Sequence, residues 1–235
     1  MVALLWAVLT AIGEVGVLTL DPFPLAAAEE ADLVDEAFFI LMVMGTPVLT
    51  FVLAALGYSV FRFRISGEPN GDGPPIQSHG ATVRTWVLLT TALTIVVMIF
   101  PGATGWLELR DRAQDEDLVI EVQGLRFAWL LTYPEYEIVT GEMVLPVGQR
   151  VRFDVTSKDV LHSFWIPAFR MKIDAVPGMV TNVYVTPNET GTVEDDYGFR
   201  LQCAEMCGTF HSIMQLPVRV VEPEEFDDWV AQMTP

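Results

Sequence analysis

Two runs of this chain, residues 37–61 and 85–107, carry no charged side chain over 25 and 23 consecutive positions. A backbone inside hydrocarbon must satisfy its own hydrogen bonds, and a helix needs about 20 apolar residues to cross. Both runs are therefore expected to be transmembrane helices. Each has aromatic side chains where the bilayer meets water, Tyr58 and Phe61 on one, Trp86 and Trp106 on the other. Pro47, inside the first run, is expected to kink it. A third apolar stretch, residues 1–20, is just long enough to span and holds Glu14, which is costly at mid-bilayer. It is expected to be a third helix that turns Glu14 towards another subunit. The rival reading is a signal peptide cut at the small residues Ala26, Ala27 and Ala28, against which stands the lack of any Lys or Arg ahead of the apolar run.

Charge orients these helices. Arg62, Arg64 and Arg84 are the only basic residues before position 110, and all fall in the 62–84 connection. Residues 21–36 instead carry Asp21, Glu29, Glu30, Asp32, Asp35 and Glu36. The excess of Arg places 62–84 in the cytoplasm, so 21–36 and everything after residue 107 lie outside a bacterial-type cell membrane, on its periplasmic side. His79, in the same cytoplasmic loop as the Gly/Pro-rich run 70–75, is then on the wrong side to join an outer metal site. The mean hydropathy of +0.40 suits a membrane-anchored chain. A net charge of −18 excludes nucleic acid as a partner, since that needs a basic footprint. From Glu108 onward there are 22 acidic and 10 basic residues, which either solubilise an outer domain or steer a basic partner.

The outer part, 110–222, reads as β-structure. Residues 118–122, 150–155, 181–185 and 216–221 are β-branched or alternating and are bounded by turn residues, a spacing that predicts an all-β Greek-key sandwich. The tail, 223–235, contains a short amphipathic helix expected only to pack.

The densest chemistry lies in Cys203-Ala204-Glu205-Met206-Cys207-Gly208-Thr209-Phe210-His211-Ser212-Ile213-Met214. Two thiols, an imidazole and a thioether within this run are soft and borderline ligands that suit copper. A mononuclear blue-copper site uses one thiolate, two imidazoles and a thioether, which leaves one thiol over; a thiolate-bridged pair of coppers uses all of them, with His162 as the second imidazole. The rival readings are a disulfide between Cys203 and Cys207, which closes a very small loop and leaves the other groups unexplained, and a Cys2His2 zinc site, which has no use for Met214.

The motif resembles the CuA site of subunit II of the haem-copper (cytochrome c) oxidases. The run Leu161-His162-Ser163-Phe164-Trp165-Ile166-Pro167, continuing through Lys172, Asp174, Ala175, Pro177 and Gly178, is similar to a second block of that family, and the likeness extends from about residue 36. The resemblance implies a cupredoxin sandwich with copper held in loops at one end. Cys203 and Cys207 then bridge two coppers, His162 and His211 bind one each, and Met214 and the Glu205 backbone carbonyl are weak axial ligands. It also implies magnesium on the Glu205 side chain at the border with subunit I, where Lys172 and Asp174 lie, and a chain with no catalytic residue of its own. Electrons arrive from an extracytoplasmic donor, a cytochrome c or small copper protein, and pass to haem in subunit I, where dioxygen is reduced to water and protons are pumped.

The departures are specific. The family's G-H-Q-W-Y-W is replaced by Gly124-Leu125-Arg126-Phe127-Ala128-Trp129, which puts Phe127 at the electron-uptake position, Arg126 in place of glutamine and Trp129 at the second tryptophan. A plain alternation of strand core residues would also account for Phe127 and Trp129. Met179 follows Pro177-Gly178 where the family often has arginine, and Val83 falls near where it often has an acid. No C-x-x-C-H haem attachment occurs. A quinol oxidase subunit would lack the ligands, and a nitrous oxide reductase would need a further domain. A nitric oxide reductase subunit and a membrane-anchored copper-delivery protein remain as alternatives.

Overall fold

The computed structural model describes residues 1–20, 22–64, 67, 79–111 and 118–234. The Gly/Pro-rich run 70–75 lies outside them. The chain divides into two compact units, Met1–Pro22 with Glu36–Arg110, and Phe23–Asp35 with Asp111–Pro235.

The first unit is helical. α1 (Val2–Thr19), most of α2 (Glu29–Arg62) and α3 (Gly80–Val97) are apolar around their circumference, and no residue of α1 or α3 is buried. A helix that is apolar on every side belongs in lipid or a large core. Length and composition qualify Val2–Thr19, Glu29–Arg62 and Gly80–Glu108 to cross a membrane. α1 packs on α2 through small and polar groups. Trp6 Nε1 donates to the Pro47 carbonyl at 2.8 Å, and the Thr10 and Thr50 hydroxyls meet at 2.7 Å. Gly13 is needed at this crossing, because a Cβ there would lie 2.6 Å from the Thr46 methyl. α2 runs on through Pro47. Residues 85–107 are not one unbroken helix, as their charge-free run suggests. Phe100 takes an extended conformation (φ −139°, ψ 121°) between α3 and α4 (Thr104–Asp111). The cause is Pro101, whose ring excludes the preceding residue from the α region.

The second unit is a β-sandwich. One sheet has the order β3-β2-β1-β5-β8 and the other β4-β10-β9-β6-β7. The first contains β1 (Leu118–Leu125), β2 (Ala128–Tyr133), β3 (Ile138–Thr140), β5 (Val151–Ser157) and β8 (Thr181–Val185). The second contains β4 (Met143–Pro146), β6 (His162–Ile166), β7 (Met171–Ala175), β9 (Arg200–Cys203) and β10 (Gln215–Val221). Period-two alternation builds the core: in β5, Val151, Phe153 and Val155 are buried while Arg152, Asp154 and Thr156 are half-exposed. β1 pairs in parallel with β5, and β10 with β4, so the two sheets are linked by crossovers.

Two peripheral pieces complete this unit. α5 (Pro223–Met233) buries Phe226 and Trp229, whose rings meet Tyr133 at 6.4 and 5.1 Å. The Tyr133 hydroxyl donates to the Val144 carbonyl at 2.9 Å and accepts the Val144 N–H at 3.1 Å, linking β2 to β4. Burial pushes its ionisation well above the ordinary tyrosine range. Tyr133→Phe leaves both Val144 groups unsatisfied and buried, so it is expected to destabilise the outer unit by about 1–3 kcal/mol; a shift in its thermal unfolding midpoint measures this.

The other piece is the segment Phe23–Asp35. Ala27 donates to the Ala168 carbonyl at 2.9 Å and accepts the Asn188 N–H at 3.2 Å, and Ala28 bridges Pro187. Ala27, Ala28 and Ala31 are fully buried with the core. The buried Glu30 carboxylate accepts the Thr186 N–H at 2.8 Å. Arg170 holds the segment by a fork on Asp35 (2.8 and 2.9 Å) and by bonds to the Pro24 and Leu25 carbonyls (2.6 and 3.0 Å). The smallness of Ala26–Ala28, which suggests a cleavage site, has a packing reason here.

Candidate metal centre

The centre lies where β6 begins and β9 ends. These strands are antiparallel, with Phe164 opposite Cys203 and Trp165 opposite Gln202. Extending that register by two residues brings His162 level with the first turn of the 204–214 loop. A bond from the Ala204 N–H to the Ser163 carbonyl (2.9 Å) continues the pairing, and one from the Cys203 N–H to the Met214 carbonyl (3.0 Å) closes the loop. A short 3₁₀ turn over His211–Ile213 then aims His211 and Met214 back inward.

The result is a cluster of donor atoms. Cys203 and Cys207 are buried free thiols whose sulfurs lie 3.8 Å apart, far longer than a disulfide bond. His162 Nδ1 is 3.8 Å from Cys203 Sγ, and His211 Nδ1 is 3.7 Å from Cys207 Sγ. Met214 Sδ is 3.8 Å from Cys207 Sγ, and the Glu205 carbonyl is 3.2 Å from Cys203 Sγ. Among the described residues, the ligand atoms of His162, Cys203 and Cys207 all lie within 4.8 Å of one another. Burial, with the neighbouring Cys203 thiol, pushes the Cys207 thiol up to about 11. A thiol so raised is protonated at neutral pH, and a metal that takes it as thiolate displaces that proton.

Asp159, which sequence reading passed over, orients this cluster. Its Oδ1 faces His162 Nε2 at 2.9 Å, so a proton kept on Nε2 leaves Nδ1 for the thiols. It also accepts the Arg126 and Val160 N–H groups (2.8 and 2.7 Å) and Arg126 Nε (3.3 Å). Burial opposes its ionisation, but the His162, Arg126 and Val160 bonds outweigh that and hold the carboxyl well below the usual range. The signal for it was an aspartate three residues before the histidine. Gly124 lies beneath the ring: a Cβ there would sit 3.0 Å from His162 Cδ2 and 3.2 Å from Trp129 Cζ3.

The remaining residues separate. Trp129 is a core side chain of β2, edge-on to His162 at 6.0 Å, as strand alternation predicts. Phe127 is not in a strand; it lies in the β1–β2 turn, half-buried, edge-to-face with Phe210 at 5.3 Å. Lys172 and Asp174 are both exposed on β7, an edge strand, away from the thiols in the pairing order. The Glu205 carboxylate accepts the Met206 N–H at 3.1 Å.

A β-sandwich that collects thiol, imidazole and thioether groups in the loops at one end has the architecture of a cupredoxin domain, here with two thiols. Known proteins carry related sequences. The profile of the periplasmic domain of cytochrome c oxidase subunit II matches residues 118–221. Cytochrome c oxidase subunit 2 of Thermostichus vulcanus is 30% identical over 89% of this chain and 77% of its own length. That of Bacillus subtilis is 28% identical over 99% of this chain and 67% of its own. Among solved structures, the periplasmic domain of subunit II of cytochrome oxidase from Bradyrhizobium japonicum is 34% identical, covering 51% of this chain and 95% of that one, with a TM-score of 0.46. The chain belongs to the cytochrome c oxidase subunit II family, a copper-binding family. It is a membrane protein with an extracytoplasmic domain.

Proposed function

We propose that this chain is the electron-accepting subunit of a proton-pumping terminal oxidase, holding a binuclear copper centre that receives electrons from an extracytoplasmic donor and passes them to haem in subunit I. One observation carries the reading: four further donor atoms lie 3.2–3.8 Å from one or other of two buried, unlinked thiols. Cys203 and Cys207, His162 and His211 through Nδ1, Met214 Sδ and the Glu205 carbonyl would hold the copper. Bound copper would supply one-electron chemistry, and a buried ligand set of this kind would keep rearrangement on reduction small.

The chain's own groups do the rest. Asp159 holds the proton on His162 Nε2. Trp129 and the sandwich core exclude water from the thiols. Phe127 and Trp129 are the proposed electron-uptake side chains, and Lys172 and Asp174 the proposed border with subunit I. The Glu205 carboxylate is the proposed magnesium ligand there, resting on the resemblance alone. All three candidate helices are proposed to span, with 62–84 in the cytoplasm. The burial of Ala27 and Ala28 supports retention of α1, since cleavage there would strip the outer unit of core residues.

The deciding measurement is electron paramagnetic resonance, with copper counting, on the full-length chain in detergent; a fragment beginning at Glu108 would lack Phe23–Asp35. A seven-line hyperfine pattern at two coppers per chain is expected. A four-line pattern at one copper would sink the binuclear reading. Copper uptake is also expected to be pH-dependent. Because the Cys207 thiol is raised to about 11, it is protonated at neutral pH and copper must displace the proton. Apparent affinity should therefore strengthen by about tenfold per pH unit per proton released as pH rises from neutrality towards that value. Competition against a chelator measures this, and a flat profile would show that the Cys207 thiol is already ionised.

A further inference from the structure

We propose that Arg126 is a positioning residue for the metal centre: by bonding the far oxygen of Asp159 it weakens the pull of that carboxylate on the His162 ring, and so raises the reduction potential of the site. The inference rests on the electron-accepting reading above and names a residue that sets its potential.

The two oxygens of the Asp159 carboxylate have different partners. Oδ1 accepts the Val160 N–H at 2.7 Å and faces His162 Nε2 at 2.9 Å. Oδ2 accepts the Arg126 N–H at 2.8 Å and Arg126 Nε at 3.3 Å. The loop around Asp159 is fixed without the guanidinium. The Lys158 N–H donates to the Gly124 carbonyl at 2.9 Å, and the Asp159 N–H to Ser157 Oγ at 3.2 Å. The backbone bond from Arg126 also survives any exchange of its side chain. Such an exchange therefore alters the charge beside Oδ2 and leaves Oδ1 in place against His162.

The sign follows from the chemistry of the ring. An imidazole that gives its second N–H to a carboxylate becomes a more basic ligand through its other nitrogen. A guanidinium bonded to the same carboxylate draws charge off Oδ1, so His162 is less basic at Nδ1 than with Asp159 alone. Weaker donation favours the reduced state of the site, which is a higher potential. Uptake of one electron leaves the Nε2 proton on the ring, and no bond forms or breaks. The device reaches one imidazole only, since His211 Nε2 has no hydrogen-bond partner among the described residues. The Arg126 and Asp159 side chains are 51% and 26% exposed, so water screens the pair and its effect is modest. Arg126 stands where the family carries glutamine, which makes the device a feature of this chain.

The test is Arg126→Gln in the full-length chain in detergent, read in two ways. The first is nuclear magnetic resonance of the metal-free chain with labelled histidine rings. The chain has three histidines, so His79 and His211 serve as internal controls. The His162 Nε2–H resonance is expected to move downfield, as in a strengthened hydrogen bond, while the other two rings stay. The second is a redox titration of the copper-loaded chain. The one-electron equilibrium constant is expected to fall about threefold, which is about 30 mV. Action through Asp159 requires the fall to vanish when Arg126→Gln is made on top of Asp159→Ala. An unmoved His162 resonance, an unchanged or raised potential, or an equal fall without the carboxylate would overturn the proposal. Arg126→Met serves the same comparisons if Arg126→Gln does not fold. An intact two-copper spectrum with an unmoved His162 resonance condemns the role of Arg126 alone. Absence of that spectrum in the unaltered chain condemns the electron-accepting reading, and the claim on the potential with it.

Discussion

Cys207→Ser is expected to abolish the two-copper centre. A hydroxyl is a hard, weakly acidic ligand that replaces the sulfur nearest both His211 Nδ1 and Met214 Sδ, at 3.7 and 3.8 Å. With one bridging thiolate gone, the remaining donors are one thiolate, two imidazoles and a thioether, the set for a single copper. The expected result is a change from seven hyperfine lines to four, copper falling from two per chain to one or none, and affinity lost by more than the roughly 100-fold that loss of a supporting hydrogen bond can cost. Retention of two coppers with the seven-line pattern would remove Cys207 from the bridge. The fold should survive, because serine is smaller than cysteine and the loop is closed by backbone bonds at Cys203 and Met214.

Arg170→Ala is expected to be the most damaging change away from the metal. The guanidinium is 13% exposed and its partner Asp35 16% exposed, so the pair is largely out of water. Removing one member strands a carboxylate and uncaps the Pro24, Leu25 and Pro167 carbonyls. Breaking a buried pair in this way costs about 3–5 kcal/mol. The segment Phe23–Asp35 should come off the sandwich and expose Ala27, Ala28 and Glu30. Limited proteolysis within residues 23–35 and a lowered unfolding temperature are the readouts; protection equal to the unaltered chain would show that the alanine contacts hold the segment unaided.

Much of this protein could be read along the chain. The strands at 118–122, 150–155, 181–185 and 216–221 were legible because β-branched residues alternate within them, and they correspond to β1, β5, β8 and β10. β4 was not, since Met143, Val144, Leu145 and Pro146 are all buried and show no alternation. β6 shows no alternation, with four of its five residues buried, and β9 has only four residues, too few to stand out beside the ligand motif. The break at Phe100 was missed although Pro101 signalled it, because lack of charge sets length and not continuity. Arg170 reads as an ordinary surface cation until Asp35, 135 residues away, is beside it.

The sequence by itself determined which atoms could bind metal and which stretches could enter a membrane, because donor chemistry and apolar length are properties of consecutive residues. Tertiary structure decided which donors share a site and what orients them. The antiparallel pairing of β6 with β9 carries His162 across 41 positions to Cys203. The turn that follows β1 delivers Arg126 to Asp159, and the segment ahead of α2 closes the sandwich far from its own place in the chain. Each depends on long-range pairing that no local pattern encodes, since a strand's periodicity states which face is buried but not which strand lies beside it.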